Sequence, residues 1–283
     1  AIIHRYNTVA EQGRIITSIC EAEPRAVVAA AVGVTGDFLQ RAQIAHKLGA
    51  KVICVDVAHG HHVLMERAIK SIRDMAGDDV HIMAGNVATL KGIDDLSDWG
   101  ADSVRCNIGG GSICSTRVQT GHGIPGFETI LRCSQTTRDV KIIADGGIRN
   151  SGDAVKALAA GADFIMVGSM LAGTTETPGE IVYLGIPGEG SGYKTYRGMA
   201  SKEAQIDWRG RTASVEGVSS MVPIKGNVVN VLGDLERGIR SGFSYTGART
   251  LNELHAKAVF VRQTSAGHTE SGTHILGAGG VKQ

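Results

Sequence analysis

No two of the five cysteines stand in a CxxC spacing. Their odd number argues against a disulfide framework, and none of the spacings reads as zinc. No apolar run approaches the 18 or so residues of a membrane span, so a membrane partner is not expected. The start of the chain lacks the basic-then-apolar pattern of a signal peptide. These absences together imply a reducing, cytoplasmic setting. Charge of either sign is not in excess: the formal net charge is +1, which gives no basic footprint for nucleic acid and no acidic tail. Aromatic residues make up only 4% and prolines number five, yet 42% of the 283 residues are hydrophobic. That is the composition of a soluble globular protein with ample material for a core.

Glycine is abundant, at 39 residues. It has no strict period, which excludes collagen, and it gathers at the ends of apolar runs. Short β-branched runs alternate with helix-like stretches. The pattern predicts strands at Ile2–His4, Ala26–Val32, Lys51–Val57, Val80–Ala84, Ser103–Ile108, Val140–Ala144 and Phe164–Val167. Their near-continuous apolarity suits parallel strands buried on both faces. Several intervening helices end in "GA" before the next strand, as in "HKLGAKVICV", "DWGADSVRC" and "AAGADFIMV", the mark of a C-terminal glycine cap. Repeated βα units imply a parallel sheet with right-handed crossovers. Glycine-rich loops follow nearly every strand. A barrel collects all of those ends at one mouth, whereas a doubly wound sheet has one switch point. The expected class is therefore α/β, a (β/α)8 TIM barrel, here with seven strands and its first βα unit lacking. One catalytic barrel domain is expected over 1–283. Its mobile lid or flap lies at about 173–225, where no sustained period is seen, and its loosely built tail at about 263–283. "NVVNVLGDLERGIRSGFSY" reads as a helix. "LNELHAKAVFV" reads as a helix running into a short strand.

The stretch "GGGSICSTRVQTGHG" carries the strongest chemical signal. Cys114 follows a strand in a glycine loop among Ser112, Thr116 and Arg117, a setting for a thiolate nucleophile. A small buried cysteine is the alternative, and it is the better reading for Cys20, Cys54, Cys106 and Cys133. "ADGGIR" and "VGSML" end consecutive strands, where barrels hold phosphate on backbone amides. Gly146, Gly147, Gly168 and Ser169 are the candidates, with Asp145 facing ribose hydroxyls; tight turns are the alternative. "DVAHGHH" offers Asp56, His59, His61 and His62, but not at zinc spacing. "NIGGG" is not a dinucleotide fingerprint, since no GxGxxG opens a helix there. Glu216 is a candidate acid or base, or else a solvated loop carboxylate.

Taken together, these motifs resemble the IMP dehydrogenase/GMP reductase family. "NIGGGSICSTRVQTGHG" is similar to its catalytic loop, G-[IV]-G-P-G-S-[IV]-C-[TI]-T-R-x-x-x-G-x-G. "AIIHRYN", "VDVAHGHH", "MAGNVAT", "IIADGGIRNSGD", "MVGSMLAG", "YRGMAS" and "IRSGFSYTGA" match other family segments in order, from Ala1 to about Ile275. The resemblance implies a (β/α)8 barrel, a homotetramer, and a cysteine that adds to C2 of a purine nucleotide monophosphate while a nicotinamide cofactor exchanges hydride there. It makes Cys114 the nucleophile, Thr116 a proton handler and Glu216 a catalytic carboxylate. It assigns Ser112, Asp145, Gly146 and Gly147 to the substrate. Gly168, Ser169 and Tyr196 would hold its phosphate, and Gly198 and Met199 would meet the base. Arg5, Asp56, Val57, Ala58, Ile108 and Gly109 would face the cofactor. Carbonyls of Gly109, Gly111 and Cys114 would line a potassium or other monovalent cation site, with Glu270 and Ser271 coming from a neighbouring subunit.

Within the family, the sequence looks more like a reductase that converts GMP to IMP and ammonia with NADPH. IMP dehydrogenases, which oxidise IMP to XMP with NAD, carry an Arg-Tyr pair in a long flap. Here the segment from Ser201 to Val215 is short, and no tyrosine follows Arg209 and Arg211 before Tyr245. "VEGVSSMVPIKG" resembles the reductase segment with its glutamate, whereas "YRGMAS" and "TSAGHTES" look more like the dehydrogenase. Ala213 stands where reductases often have Arg, and Gly110 where the loop usually has proline. No segment reads as the paired regulatory CBS modules. A nucleotide-binding fragment or relative without catalysis is the remaining alternative.

Overall fold

A computed structural model describes residues 1–184, 191–213 and 215–272. Seven parallel strands lie side by side in chain order: β1 (Ile2–Ile3), β2 (Ala29–Val32), β3 (Val52–Asp56), β4 (His81–Val87), β5 (Ser103–Cys106), β6 (Lys141–Asp145) and β7 (Phe164–Met166). Among the described residues these seven strands form the wall of a partial (β/α)8 barrel. The central strands are apolar on both faces because helices cover the outside and facing strands the inside. Ile53, Cys54, Val55, Ile82, Ala84, Val104 and Cys106 have no exposed surface.

The helices between strands are α1 (Val9–Ala22), α2 (Phe38–Lys47), α3 (Val63–Ala76), α4 (Leu90–Asp98), α5 (Thr116–Thr120), α6 (Gly126–Cys133) and α7 (Ser151–Ala159). On α3, Met65, Ala68, Ile69, Ile72 and Ala76 recur at helical spacing, and all five are buried against the sheet. Helix starts are marked by side-chain caps. Thr8 and Glu11 form a capping box at α1, and Asn150 Oδ1 accepts from the Asp153 N–H at α7. The "GA" signals end α2, α4 and α7: Gly49, Gly100 and Gly161 have φ of +104°, +111° and +113°.

Beyond β7 the chain builds a second sheet. β8 (Val182–Leu184), β9 (Ser191–Arg197) and β10 (Ser219–Pro223) pair antiparallel in the order β10-β9-β8, with α8 (Lys202–Arg209) between β9 and β10 along the chain. The absence of a period in this stretch therefore misled. On β9 the inward positions are Gly192 and Lys194, which hide the alternation. Lys194 is buried because its Nζ donates to the carbonyls of Thr174, Thr175 and Thr177 at 3.1, 3.2 and 2.6 Å.

α9 (Val228–Thr246) returns to the barrel and packs on α7 through Gly238 and Gly242. A Cβ at either would meet Ser151 at 2.3 Å or lower, or Val155 at 2.5 Å. After α10 (Leu251–Lys257) the expected strand does not form. Val259 and Val261 are exposed, and Phe260 instead packs edge-on against Phe127, centroids 4.9 Å apart. The chain ends its described part on α11 (Ser265–Glu270). Among the described residues, no helix is long and apolar enough to cross a membrane.

Candidate active site

The strand ends open into a cavity of about 470 Å³, lined from the wall by Asp56, Asn86, Arg105, Asn107, Cys114, Thr116 and Asp145. The second sheet and its loops add Met199, Ala200 and Glu216. Arg5, Val57, Ala58, Gly109 and Gly111 also line it.

The loop after β5 is wound around a single arginine. Arg117 Nε donates to the Ile108 carbonyl at 2.9 Å, and Nη2 donates to Asn107 Oδ1 at 2.9 Å and to the Ile124 carbonyl at 2.7 Å. Gly109 and Gly123 press against its aliphatic stem. A Cβ would lie 2.6 and 2.7 Å from Arg117 Cγ, and both glycines have positive φ. Side chains are thus excluded on two grounds, steric and conformational. This arrangement leaves Cys114 exposed at the cavity.

A line of polar atoms runs from Cys114 to the far side of the cavity. The Cys114 thiol reaches Thr116 Oγ1 at 3.2 Å, and that hydroxyl donates to Glu216 Oε2 at 2.7 Å. Backbone pairing fixes the approach. Ser115 N–H donates to the Glu216 carbonyl at 2.8 Å, Val218 N–H to the Ile113 carbonyl at 2.9 Å, and Cys114 bridges Gly217. Glu216 lies 100 residues from Thr116, so the sequence alone had no spacing that joined them.

Arg105 is the centre of the wall's charge. Its guanidinium is almost wholly buried and pairs with Asp56 at 2.6 Å and Asp145 at 3.3 Å. It also donates to Asn86 Oδ1, and Nη1 donates to Cys54 Sγ at 3.1 Å. The neighbouring anions hold its proton more firmly than in water, despite its burial. Burial pushes the Cys54 thiol up to about 11, so Cys54 is inert. Asp145 Oδ2 accepts from Asn86 Nδ2 at 2.7 Å. Arg105 and Asn86 were not singled out from the sequence. An arginine within the apolar run "SVRCNI" was the available signal, because a buried charge demands partners.

Gly146 and Gly147 follow one another at φ +79° and +75°, and Gly146 packs against Gly110 of the Cys114 loop. The Tyr196 hydroxyl lies beside Gly168 across the gap from β9, 3.4 Å from where a Cβ would be. The Ser169 carbonyl accepts from Lys225 Nζ at 2.8 Å. Gly198 N–H bonds the Val218 carbonyl, and Met199 borders the cavity, as does Asp56 with Val57 and Ala58. Ser112 is exposed on the loop, and Ile108 is buried behind it.

The cofactor candidate Arg5 has an ion-pair contact to Asp56 at 3.8 Å, and its buried Nε has no hydrogen-bond partner. An orphaned donor at the cavity edge fits a ligand rich in amide or phosphate oxygens. For the cation, the Gly111 carbonyl accepts from Cys114 N–H at 3.1 Å and retains a second lone pair. Glu270 and Ser271 close α11, where the Ser271 hydroxyl bonds the Gly267 carbonyl and Gln263. Two histidines of "DVAHGHH" take separate partners: His61 pairs with Asp95 at 2.6 Å, and His62 caps α3. Among the described residues, no three His, Cys, Asp or Glu side chains gather in a metal-binding group.

Residues 1–274 match the IMP dehydrogenase/GMP reductase domain. The chain belongs to the IMP dehydrogenase/GMP reductase family. It is 45% identical over 266 residues to an inosine-5'-monophosphate dehydrogenase of Nitrosopumilus maritimus, covering 88% of this chain and 54% of that protein. It is 38% identical over 274 residues to a GMP reductase of Leishmania major, covering 92% and 55%. A crystal structure of a Trypanosoma brucei GMP reductase variant in complex with guanosine 5'-monophosphate is similar at a TM-score of 0.83 and 41% identity. That likeness covers 88% of this chain and 52% of the other. The chain spans about half the length of these relatives, and family members of both activities are among them.

Proposed function

We propose that the protein carries out the NADPH-dependent reductive deamination of GMP to IMP and ammonia, through a covalent bond between Cys114 Sγ and purine C2. The observation that carries this reading is the connected line Cys114, Thr116, Glu216, with hydrogen bonds of 3.2 and 2.7 Å. It links a thiol to a carboxylate through a hydroxyl that can donate and accept at once. The thiol proton passes to Thr116, whose own proton passes to Glu216. Sγ then adds to C2, which becomes tetrahedral. Glu216 returns the proton to the exocyclic amine, which leaves as ammonia. The nicotinamide cofactor, when bound, supplies hydride to C2. The C–S bond then breaks with its electron pair on sulfur, giving IMP and a Cys114 thiolate that takes a proton from water.

On this reading Asp145 holds the ribose, oriented by Asn86. Gly146, Gly147, Gly168, Ser169 and Tyr196 receive the phosphate, Ser112 adds a contact, and Gly198 and Met199 face the base. Arg5, Asp56, Val57, Ala58, Ile108 and Gly109 form the cofactor side. Carbonyls of Gly109, Gly111 and Cys114 hold a monovalent cation, with Glu270 and Ser271 supplied by a neighbour in a homotetramer. The second sheet with α8 forms a flap that keeps water from the hydride step.

The dehydrogenase is the second reading, favoured by the 45% identity to the Nitrosopumilus relative. Its oxidation of IMP needs a hydrolytic water activated in the flap. Arg209 is turned elsewhere: its guanidinium lies 4.8 Å over the Trp208 ring. Paired assays on the full-length protein decide. GMP with NADPH is expected to yield IMP and ammonia, whereas XMP from IMP with NAD overturns the choice. Cys114→Ala is expected to lower turnover by at least about 10⁴-fold. No turnover with either pair leaves the non-catalytic relative.

A further inference from the structure

Asn107 sits where the family pattern G-[IV]-G-P-G begins with glycine, and Gly110 sits where that pattern has proline. The two departures meet in space. A Cβ on Gly110 would lie 1.8 Å from Asn107 Nδ2 and 2.5 Å from its Cγ. A side chain at 110 and the carboxamide at 107 therefore exclude one another.

The carboxamide has little freedom to move aside. Asn107 is 3% exposed. Nδ2 donates to the Asp145 carbonyl at 2.9 Å, and Oδ1 accepts from Arg117 Nη2 at 2.9 Å. Its backbone N–H donates to the Val87 carbonyl, and its own carbonyl accepts from Asn86 Nδ2 at 2.8 Å. Four bonds thus tie the ends of β4, β5 and β6 to the arginine that carries the Cys114 loop. Asn107 holds them at φ +133°, a conformation that non-glycine residues rarely adopt. A displaced amide would leave a buried donor and acceptor unpaired.

We infer that Asn107 is a positioning residue of the Cys114 loop. Its carboxamide fills the space of the usual proline ring, and Asn107 and Gly110 work as an interlocked pair. The rigidity that a fixed φ gives the loop elsewhere is supplied here by hydrogen bonds across three strand ends. The inference rests on the proposed function only where turnover is the readout; it does not depend on which of the two reactions is run.

The test is a cycle of four full-length proteins: unchanged, Gly110→Ala, Asn107→Gly and the double variant. Glycine at 107 accepts the positive φ, so removing the amide does not strain the backbone. Two quantities are read in each: kcat against KM, and the rate at which iodoacetamide alkylates Cys114, followed by peptide mass. With Asn107 present, Gly110→Ala is expected to lower kcat about 10²-fold, with a smaller change in KM, as for a displaced reacting group. With glycine at 107 the same substitution is expected to have little effect. The alkylation rate is expected to shift at Gly110→Ala only where Asn107 remains. Equal fold-losses in both backgrounds, within about twofold, would mean independent sites and overturn the inference. An alkylation rate that is the same in all four proteins also overturns it. Should the unchanged protein turn over neither substrate pair, the functional reading fails while alkylation still judges the pair. Should Gly110→Ala fail to fold, a folded double variant supports the interlock and an unfolded one overturns it.

Discussion

The barrel wall and the segment proposed as the flap hold their polar groups in different ways. On the wall, Arg105 is buried and answered by two carboxylates, an amide and a thiol. Asp56, Asp145 and Asn86 are themselves engaged, so one displacement propagates through the network. On the flap side Glu216 is half-buried, and Met199 and Ile206 are exposed. α8 reaches the N-terminal segment through Trp208, which stacks on Tyr6 with centroids 4.1 Å apart and planes 12° off parallel. The proposed chemistry needs both regions: the nucleophile comes from the wall, and the carboxylate that relays its proton comes from the flap side. Changes on the wall should therefore reach stability, while changes on the flap side should reach turnover with the fold intact.

Glu216→Gln tests the flap half and carries the largest expected effect after Cys114→Ala. The amide keeps the shape and a hydrogen bond to Thr116 but cannot take a proton. Turnover should fall about 10³-fold, within the usual range for a lost acid or base, at an unchanged melting temperature. A comparable fall in melting temperature would break the distinction between the two regions.

Arg105→Met tests the wall. Methionine matches the stem but takes the shared cation from Asp145 and leaves Asp56 only the more distant Arg5, at 3.8 Å. Breaking a buried ion pair by removing one partner destabilises by 3–5 kcal/mol. Both carboxylates keep some access to water, with side chains 35% and 20% exposed, so about 3 kcal/mol is expected from denaturant melts. A loss of activity at full stability would place Arg105 among the groups that act only on substrate.

The difference between the regions also explains what the sequence made legible. The strands of the wall announced themselves because burial on both faces leaves continuous apolar runs. The glycine caps at Gly49, Gly100 and Gly161 closed the helices where "GA" stood. Cys114 was visible because polar residues and glycines surround it just after a strand. The second sheet was not visible, since Lys194 occupies an inward position that only three loop carbonyls from a distant turn make tolerable. Val259–Val261 had strand propensity but no neighbouring strand among the described residues to pair with. The bond from Thr116 to Glu216 and the partners of Arg105 are tertiary facts. Residue type hinted at them, and only the closed chain joins them.

Trp208→Ala carries the smallest expected effect and sharpens the comparison most finely. The indole stacks on Tyr6 and lies within reach of two guanidinium groups, 5.9 Å from Arg5 and 4.8 Å from Arg209. Such a stacked pair is worth about 1 kcal/mol beyond its buried area. Arg5 also approaches Asp56 at the cavity edge, so loosening α8 should be felt at the proposed cofactor side before it is felt at Cys114. The expected outcome is a rise of roughly fivefold in the KM for the nicotinamide cofactor, with kcat and the Cys114 alkylation rate held. A fall in kcat alone would mean that α8 instead sets the position of Glu216, through the Glu216 N–H bond to the Ala200 carbonyl just ahead of the helix.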